Sequence, residues 1–140
     1  LNLNQKIYKR FYEFDDFQFV VLCPIGTEEL VAQLRNKLEF GTNTDMKKWN
    51  FIFSDSTQIS KTFKSLKSDM NLDKYYGSNY VYIVDKERSQ RGRNDDNGTK
   101  FGYDSRSVAD INNIMVDDVK IILAEYRLAL KKNGITKKAL

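Results

Sequence analysis

The chain has no histidine and only one cysteine, and these shortages exclude several kinds of chemistry. Without an imidazole, catalysis by a histidine acid or base and metal sites that contain histidine are both excluded. The single thiol, Cys23, cannot form a disulfide within the chain or a Cys-x-x-Cys or Cys-x-x-x-Cys couple. We therefore predict no catalytic residue, no metal ligand and no cofactor from these 140 residues.

Long apolar runs and a dispersed excess of positive charge are also lacking. The longest nearly apolar run covers residues 17–25, far fewer than the roughly 18 residues that a membrane span needs. From Glu125 onward, five basic residues face one acidic residue, a balance of +4 that equals the whole net charge. The short run therefore predicts no membrane span. The cations lie where they complement a helix C-terminus, so the charge predicts no nucleic-acid binding. The start at Leu1, without Met, is compatible with a trimmed precursor that carried an anchor.

The order of apolar patterns predicts one α/β domain. Spacings of three and four residues mark helices, and continuous or alternating apolar runs mark strands. The predicted order is a helix over residues 3–14, a strand over 17–23, a helix from Thr27 to Gly41, a strand over 49–53, a helix from Asp55, a strand over 80–84, a hairpin around Asn97 and Gly98, and a long helix from Ser107 to Gly134. Residues 1–133 are the predicted domain, and residues 134–140 are a basic C-terminal tail.

Three local patterns, taken together in this order, resemble the Sco/SenC branch of the thioredoxin-like proteins, and residues 117–126 in the long helix resemble the final helix of such proteins, especially those of Bacteroidetes-type bacteria. Residues 19–24 (Phe-Val-Val-Leu-Cys-Pro) are similar to the family's strand that ends in Asp-Pro. Residues 48–55 (Lys-Trp-Asn-Phe-Ile-Phe-Ser-Asp) are similar to its Trp-x-Phe-Leu-x-Gly-Asp strand and helix start. Residues 80–87, with Arg-Gly-Arg at 91–93, are similar to its hairpin and return strand.

The resemblance implies a thioredoxin-like fold, with a central mixed sheet flanked by helices and a long C-terminal helix. It also implies a periplasmic or envelope-associated location. The family's first central strand ends in a Cys-x-x-x-Cys motif that binds copper or exchanges disulfides together with a distant histidine. Here the first helix begins almost at Leu1, so that strand and motif either precede this sequence or are absent. The family histidine matches Gly77.

Five residues are weak site candidates, and each also has a purely structural interpretation. Cys23 stands at the end of a strand, where open α/β sheets place ligands, although a free cysteine is usually a small buried hydrophobe. Gly77 occupies the position of the family ligand. Arg88, Arg91 and Arg93 could bind an anion, although basic residues also protect edge strands from aggregation.

The first functional hypothesis is a non-catalytic or degenerate Sco-like domain of a bacterial envelope protein that acts by binding another protein. The alternative is a Sco-type thiol oxidoreductase or copper-delivery protein whose Cys-x-x-x-Cys lies upstream of residue 1. A third interpretation is a small hydrolase that uses Asp55 and Asp85, which both follow strand ends. For the chain as given, an enzyme is the less favoured interpretation.

Overall fold

The computed structural model describes residues 1–68, 70–92 and 102–139. Within them the chain is mixed α/β, with four helices and six short strands. Helix α1 has a π-helical part, Asn4–Tyr8, and an α-helical turn, Lys9–Phe11. The others are α2 (Glu28–Thr42), α3 (Ser56–Ser65) and α4, whose π-helical segment Asp110–Met115 continues into Val116–Ala139. The strands are β1 (Phe19–Pro24), β2 (Trp49–Ser54), β3 (Tyr80–Val81), β4 (Ile83–Val84), β5 (Gln90–Arg91) and β6 (Tyr103–Asp104).

The strands pair two by two. β1 and β2 are parallel and connected by α2, and their register runs from Phe19 opposite Trp49 to Pro24 opposite Ser54. β3 is antiparallel to β6, and β4 is antiparallel to β5. The single central sheet that the sequence predicts is therefore not formed by the described residues. The physical reason is that no strand among them lies between β1 and β4, so the two halves share no ladder of hydrogen bonds.

Two helices and a group of aromatic rings hold these halves together. The larger core cluster combines α1, α4 and β6, and its members are the buried side chains of Ile7, Phe11, Tyr103, Ile111, Met115, Val116, Val119 and Leu123. A second cluster joins α1 to β1 and β2 through Tyr8, Met46 and Trp49. The rings of Phe19 and Trp49 lie 4.2 Å apart between centroids, the closest ring pair described. The core therefore lies on the face of the strands that α1 and α4 cover.

The helix ends match the predicted ones only in part. The helix predicted to start at Asp55 does so, and Asp55 caps it, because its Oδ1 accepts a 2.8 Å bond from the Gln58 amide. The Thr27 hydroxyl instead donates to the Pro24 carbonyl at 2.7 Å and does not cap α2. That helix passes the predicted stop at Gly41 and ends at Thr42, and Asn43, with a φ of 50°, is its left-handed C-cap.

Two further helical predictions differ from the structure. The spacing of Leu30 and Leu34 predicts a buried stripe on α2, but both are exposed, because the helix contacts the aromatic cluster through Leu38 near its last turn. Helix α4 continues beyond Gly134 to Ala139. A glycine inside a helix costs about 1 kcal/mol relative to alanine, and the helix continues through Gly134 despite that residue's low helix propensity. The predicted hairpin tip at Asn97 lies outside the described residues.

Candidate functional site

A slot separates the start of β1 from β4. It encloses about 210 Å³. One wall is the chain at residues 16–19, the other is the chain at residues 82–86, and the floor is helix α4. The floor side chains are mostly apolar and come from Met115, Val119, Ile122, Leu123 and Tyr126. We call this feature the β1–β4 slot.

Alternate residues of β1 direct their backbone N–H and C=O groups toward the slot. In a parallel pair, the N–H and C=O groups of one residue bond to the adjacent strand, and those of the next residue point away from that strand. The Phe19 amide donates to the Lys48 carbonyl at 2.8 Å, and the Ile25 amide donates to the Ser54 carbonyl at 3.2 Å. The odd-numbered residues of β1 thus bond to β2. It follows that the N–H and C=O groups of Val20 and Leu22 point away from β2.

The strands across the slot also direct alternate backbone groups toward it. Asp85 donates its amide to the Ser89 carbonyl at 2.9 Å, and Ser105 donates to the Asn79 carbonyl at 2.8 Å. The odd-numbered residues of β3 and β4 therefore bond to β6 and β5 along one edge. The N–H and C=O of Val84 point to the opposite edge, and the Val84 side chain is 54% exposed. Both edges that border the slot thus carry backbone groups directed out of their own ladders.

At the end of the slot where β1 begins and β4 ends, side chains of opposite charge form ion pairs. Lys86 Nζ forms an ion pair with Asp16 across it, and the Lys86 amide donates to the Tyr126 hydroxyl at 2.9 Å. Beside this pair, Arg91 makes two hydrogen bonds of 2.8 and 2.9 Å to the Glu125 carboxylate. That end joins both walls to α4, while the slot interior keeps an apolar floor.

The hydrogen bonds and ion pairs of Arg91 change the pKa values of its partners Asp85 and Glu125. Hydrogen bonds from the Ser89 amide and from Arg91 hold the pKa of Asp85 below its ordinary value. The hydrogen bonds from Arg91 also lower the pKa of the Glu125 carboxyl. The pKa of Arg91 is raised in return. All three groups are therefore charged at neutral pH.

Cys23 lies near the end of β1 and is 8% exposed. Its Sγ is 3.9 Å from the Val21 carbonyl oxygen, a weak contact within its own strand. Burial raises the pKa of the Cys23 thiol, because the thiolate loses hydration inside the protein. A protonated, enclosed thiol is a poor nucleophile and a poor soft-metal ligand, so the geometry favours the structural interpretation.

Gly77 occupies a turn that Asp73 organises. The Asp73 Oδ1 atom accepts bonds from the amides of Tyr75 at 2.8 Å and Gly77 at 2.9 Å. A Cβ at Gly77 would lie 3.0 Å from Asp73 Oδ2, so the turn fits glycine closely. No contact between Gly77 and Cys23 is found among the described interactions. The structure thus gives the two residues separate surroundings.

The three arginine candidates also do not form a common site among the described residues. Arg91 is committed to Glu125 and Asp85, which leaves its guanidinium matched by carboxylates. Arg88 stands in the turn after β4 with a φ of 64°. Arg93 lies outside the described residues. This arrangement favours ion pairing and turn formation over anion binding.

The two carboxylates of the hydrolase hypothesis also have structural partners. Asp55 caps α3, and Asp85 accepts bonds from the amides of Glu87 and Ser89 at 2.9 Å each. Among the described residues, no group of three or more cysteine, aspartate or glutamate side chains could hold a metal ion. No helix in the same part of the chain has the length and apolarity to cross a bilayer.

Among the residues that line the β1–β4 slot, the sequence singles out Asp85 alone as a site candidate. Val84 and Ile122, which line the slot, and Val20 at the edge of β1 carry no chemical signal, and their importance comes from where their backbone or side chain lies. The order of elements carries one signal, because a βαβ pair has two outer edges, and the edge of β1 away from β2 has no partner among the described strands.

Comparison with known proteins adds no assignment. No protein-family model, no curated protein and no solved structure matches this chain.

Proposed function

We propose that this protein is a non-catalytic, Sco-like domain of a bacterial envelope protein that binds an extended segment of another protein in the β1–β4 slot. The observation that carries the proposal is the pair of sheet edges on either side of one apolar floor. Adding a strand to such an edge is an established mode of peptide recognition, in which main-chain hydrogen bonds give affinity and alternate side chains give specificity.

The unpaired backbone groups of the two edges favour binding of a strand. Buried N–H and C=O groups are paired in almost all native proteins, and an open edge invites another strand. A guest strand would bond to Val20 and Leu22 on one side and to Val84 on the other. The floor side chains of Met115, Val119, Ile122 and Leu123 are already less than 9% exposed, so the affinity would come mainly from the backbone hydrogen bonds.

The alternative oxidoreductase or copper function receives less support. Such a function needs two thiols or a thiol with an imidazole, and this sequence has one cysteine and no histidine. That one thiol is buried and its pKa is raised. The hypothesis therefore depends entirely on residues outside this sequence, whereas the binding hypothesis uses backbone groups that the chain itself provides.

A peptide titration followed by NMR tests the proposal. The probe is an acetylated, amidated peptide with alternating valine and threonine at five central positions, and the control peptide has the same composition in scrambled order. We expect saturable shifts of the Val20, Leu22 and Val84 amide signals with the alternating peptide, and at least tenfold weaker binding of the scrambled one.

Two tryptophan variants on α4 separate the slot from the rest of the surface. Ile122 lines the slot and is 6% exposed, whereas its neighbour Ile121 is 57% exposed. Ile122→Trp should fill the slot and abolish binding, and Ile121→Trp should bind like the wild type. Circular dichroism shows whether both variants fold. Should Ile122→Trp not fold, the slightly smaller Ile122→Phe replaces it. Equal binding by folded variants of both positions, or no binding by the wild type, would contradict the proposal.

A further inference from the structure

We infer that the partner segment is apolar on both of its faces, because the side chains that border the β1–β4 slot are apolar toward α4 and also on the opposite face. This inference rests on the proposed function and adds the chemical class of the partner. The segment is a continuous run of apolar, β-branched residues, not a strand with one polar face.

Side chains along both walls alternate between the face that α4 covers and the opposite face, which we call the outer face. Successive side chains of a strand point to opposite faces. The odd-numbered side chains of the walls pack against the core clusters around α1 and α4, namely Phe19, Val21, Val81 and Ile83. The side chains of Val20, Tyr82 and Val84 therefore lie on the outer face.

Helix α3 lies against the outer face of both walls. It packs against β1, and its Phe63 meets the Tyr82 ring edge to face, with 6.3 Å between the ring centroids. The Tyr82 hydroxyl shares a 2.6 Å hydrogen bond with the Ser68 hydroxyl, just after α3. Phe63 and Tyr82 are both only half-buried. A guest strand in the slot would therefore have accessible aromatic surface beside its outward side chains.

The valines beside the slot add further apolar surface to the outer face. Val20 is 55% exposed and Val84 is 54% exposed. Ile52, opposite Leu22 in the parallel ladder, is exposed on the same face. Side chains on one face of adjacent strands lie about 5 Å apart, so outward side chains of the guest would contact Val20 on one side and Val84 on the other. Since the floor is already buried, the outer face provides most of the apolar surface that binding can cover.

The floor selects apolar side chains for a different reason. A guest side chain turned toward α4 would lie against the apolar floor of the slot. A hydroxyl or an amide placed there would lose its hydration, which is unfavourable unless a hydrogen bond replaces the lost water. Apolar side chains are therefore favoured on both faces of the guest, as in a strand of a sheet that helices cover on both sides.

Valine and threonine, which have similar shapes, test the outer face. The alternating peptide can turn its valines toward the floor and its threonines outward, and a second peptide has valine at all five central positions. Both carry the same lysine flanks, and the shift of the Val84 amide signal measures both affinities. We expect the all-valine peptide to bind about tenfold more tightly, because methyl groups replace the outward hydroxyls and leave water on binding. Equal affinity, or tighter binding of the alternating peptide, would overturn this inference.

Threonine variants of the protein locate the contact. Val20→Thr combined with Val84→Thr should reduce the preference for the all-valine peptide to about threefold or less, because the outward side chains lose apolar neighbours. Val108→Thr is the matched control, since Val108 is 53% exposed and lies outside the residues that line the slot. It should keep the full preference. Circular dichroism shows whether the variants fold, and the single variants replace the double one should it not fold.

The two proposals fail in different ways. An unchanged preference in the folded Val20 and Val84 variants overturns the apolar outer face and leaves the proposed function standing, as does saturable binding of both peptides with equal affinity. Absence of binding by both peptides contradicts the proposed function itself.

Discussion

The hydroxyl of Tyr103 donates a 2.6 Å hydrogen bond to Oδ2 of Asp118, and both side chains are buried. Tyr103 belongs to β6 and Asp118 to α4, so this bond connects the strand pair on one side of the β1–β4 slot to the helix that forms its floor. A bond to a buried carboxylate stabilises more than a neutral one, because the desolvated charge gains a donor. We therefore regard this contact as a support of the slot.

Tyr103→Phe should destabilise the protein by about 1.5 to 3 kcal/mol, the usual range for a hydrogen bond to a charged group. Urea unfolding followed by circular dichroism measures the change. Tyr75→Phe is the matched control, because Tyr75 is 72% exposed, and its free energy of unfolding should stay within about 0.5 kcal/mol of the wild type. Equal stability of both variants would show that the Tyr103 bond does not hold β6 to α4.

Gly92 packs against the same hydroxyl, and its replacement should be harmful. A Cβ at Gly92 would lie 2.6 Å from the Tyr103 oxygen, and its φ is +131°. Gly92→Ala should lower the melting temperature by several degrees, because both the contact and the backbone conformation exclude a side chain. Gly41→Ala meets no atom within 4 Å inside α2 and should instead raise stability by about 0.5 to 1 kcal/mol. Differential scanning calorimetry compares the two, and a stabilised Gly92→Ala would refute the described packing.

The Cys23 thiol should react slowly in the native protein. Its burial limits access and its raised pKa lowers the thiolate fraction at neutral pH. Reaction with Ellman's reagent at pH 8 should be at least tenfold slower than in 6 M urea. The native rate should also require higher pH than glutathione to reach its maximum. A native rate equal to that of the unfolded chain would instead favour an exposed, reactive thiol.

Acid should weaken the link between α4 and the β4–β5 hairpin. The folded pKa values of Asp85 and Glu125 are lowered, so their stabilising contribution is complete above the unfolded values near 4 and is lost as pH falls through the folded values. Urea unfolding between pH 7 and pH 2 should show this loss. Asp85→Asn should be less stable than the wild type at pH 7 and converge with it at pH 2. Glu13→Gln, a change at an exposed site, should follow the wild-type curve, and a pH-independent gap for Asp85→Asn would contradict the assignment.

Local signals were enough to predict most helices and strands. Apolar spacing placed α4, and the Asp55 to Gln58 spacing identified the start of α3, because both depend on neighbours within a few residues. Burial was harder to predict. Leu30 and Leu34 have the spacing of a core stripe and are nevertheless exposed, since burial depends on which distant element packs against α2. Local sequence patterns could not predict the slot either, because its two walls come from residues about 60 positions apart in the chain.

Amide hydrogen exchange of the β1 residues tests the central claim most directly. In the free protein, the amides of Val21 and Cys23 should exchange slowly, since they bond to β2, whereas those of Val20 and Leu22 should exchange at least tenfold faster. The alternating peptide should slow exchange at Val20, Leu22 and Val84 without changing Val21. Equal protection of odd and even residues in the free protein, or no change with saturating peptide, would contradict the account of an open edge that accepts a strand.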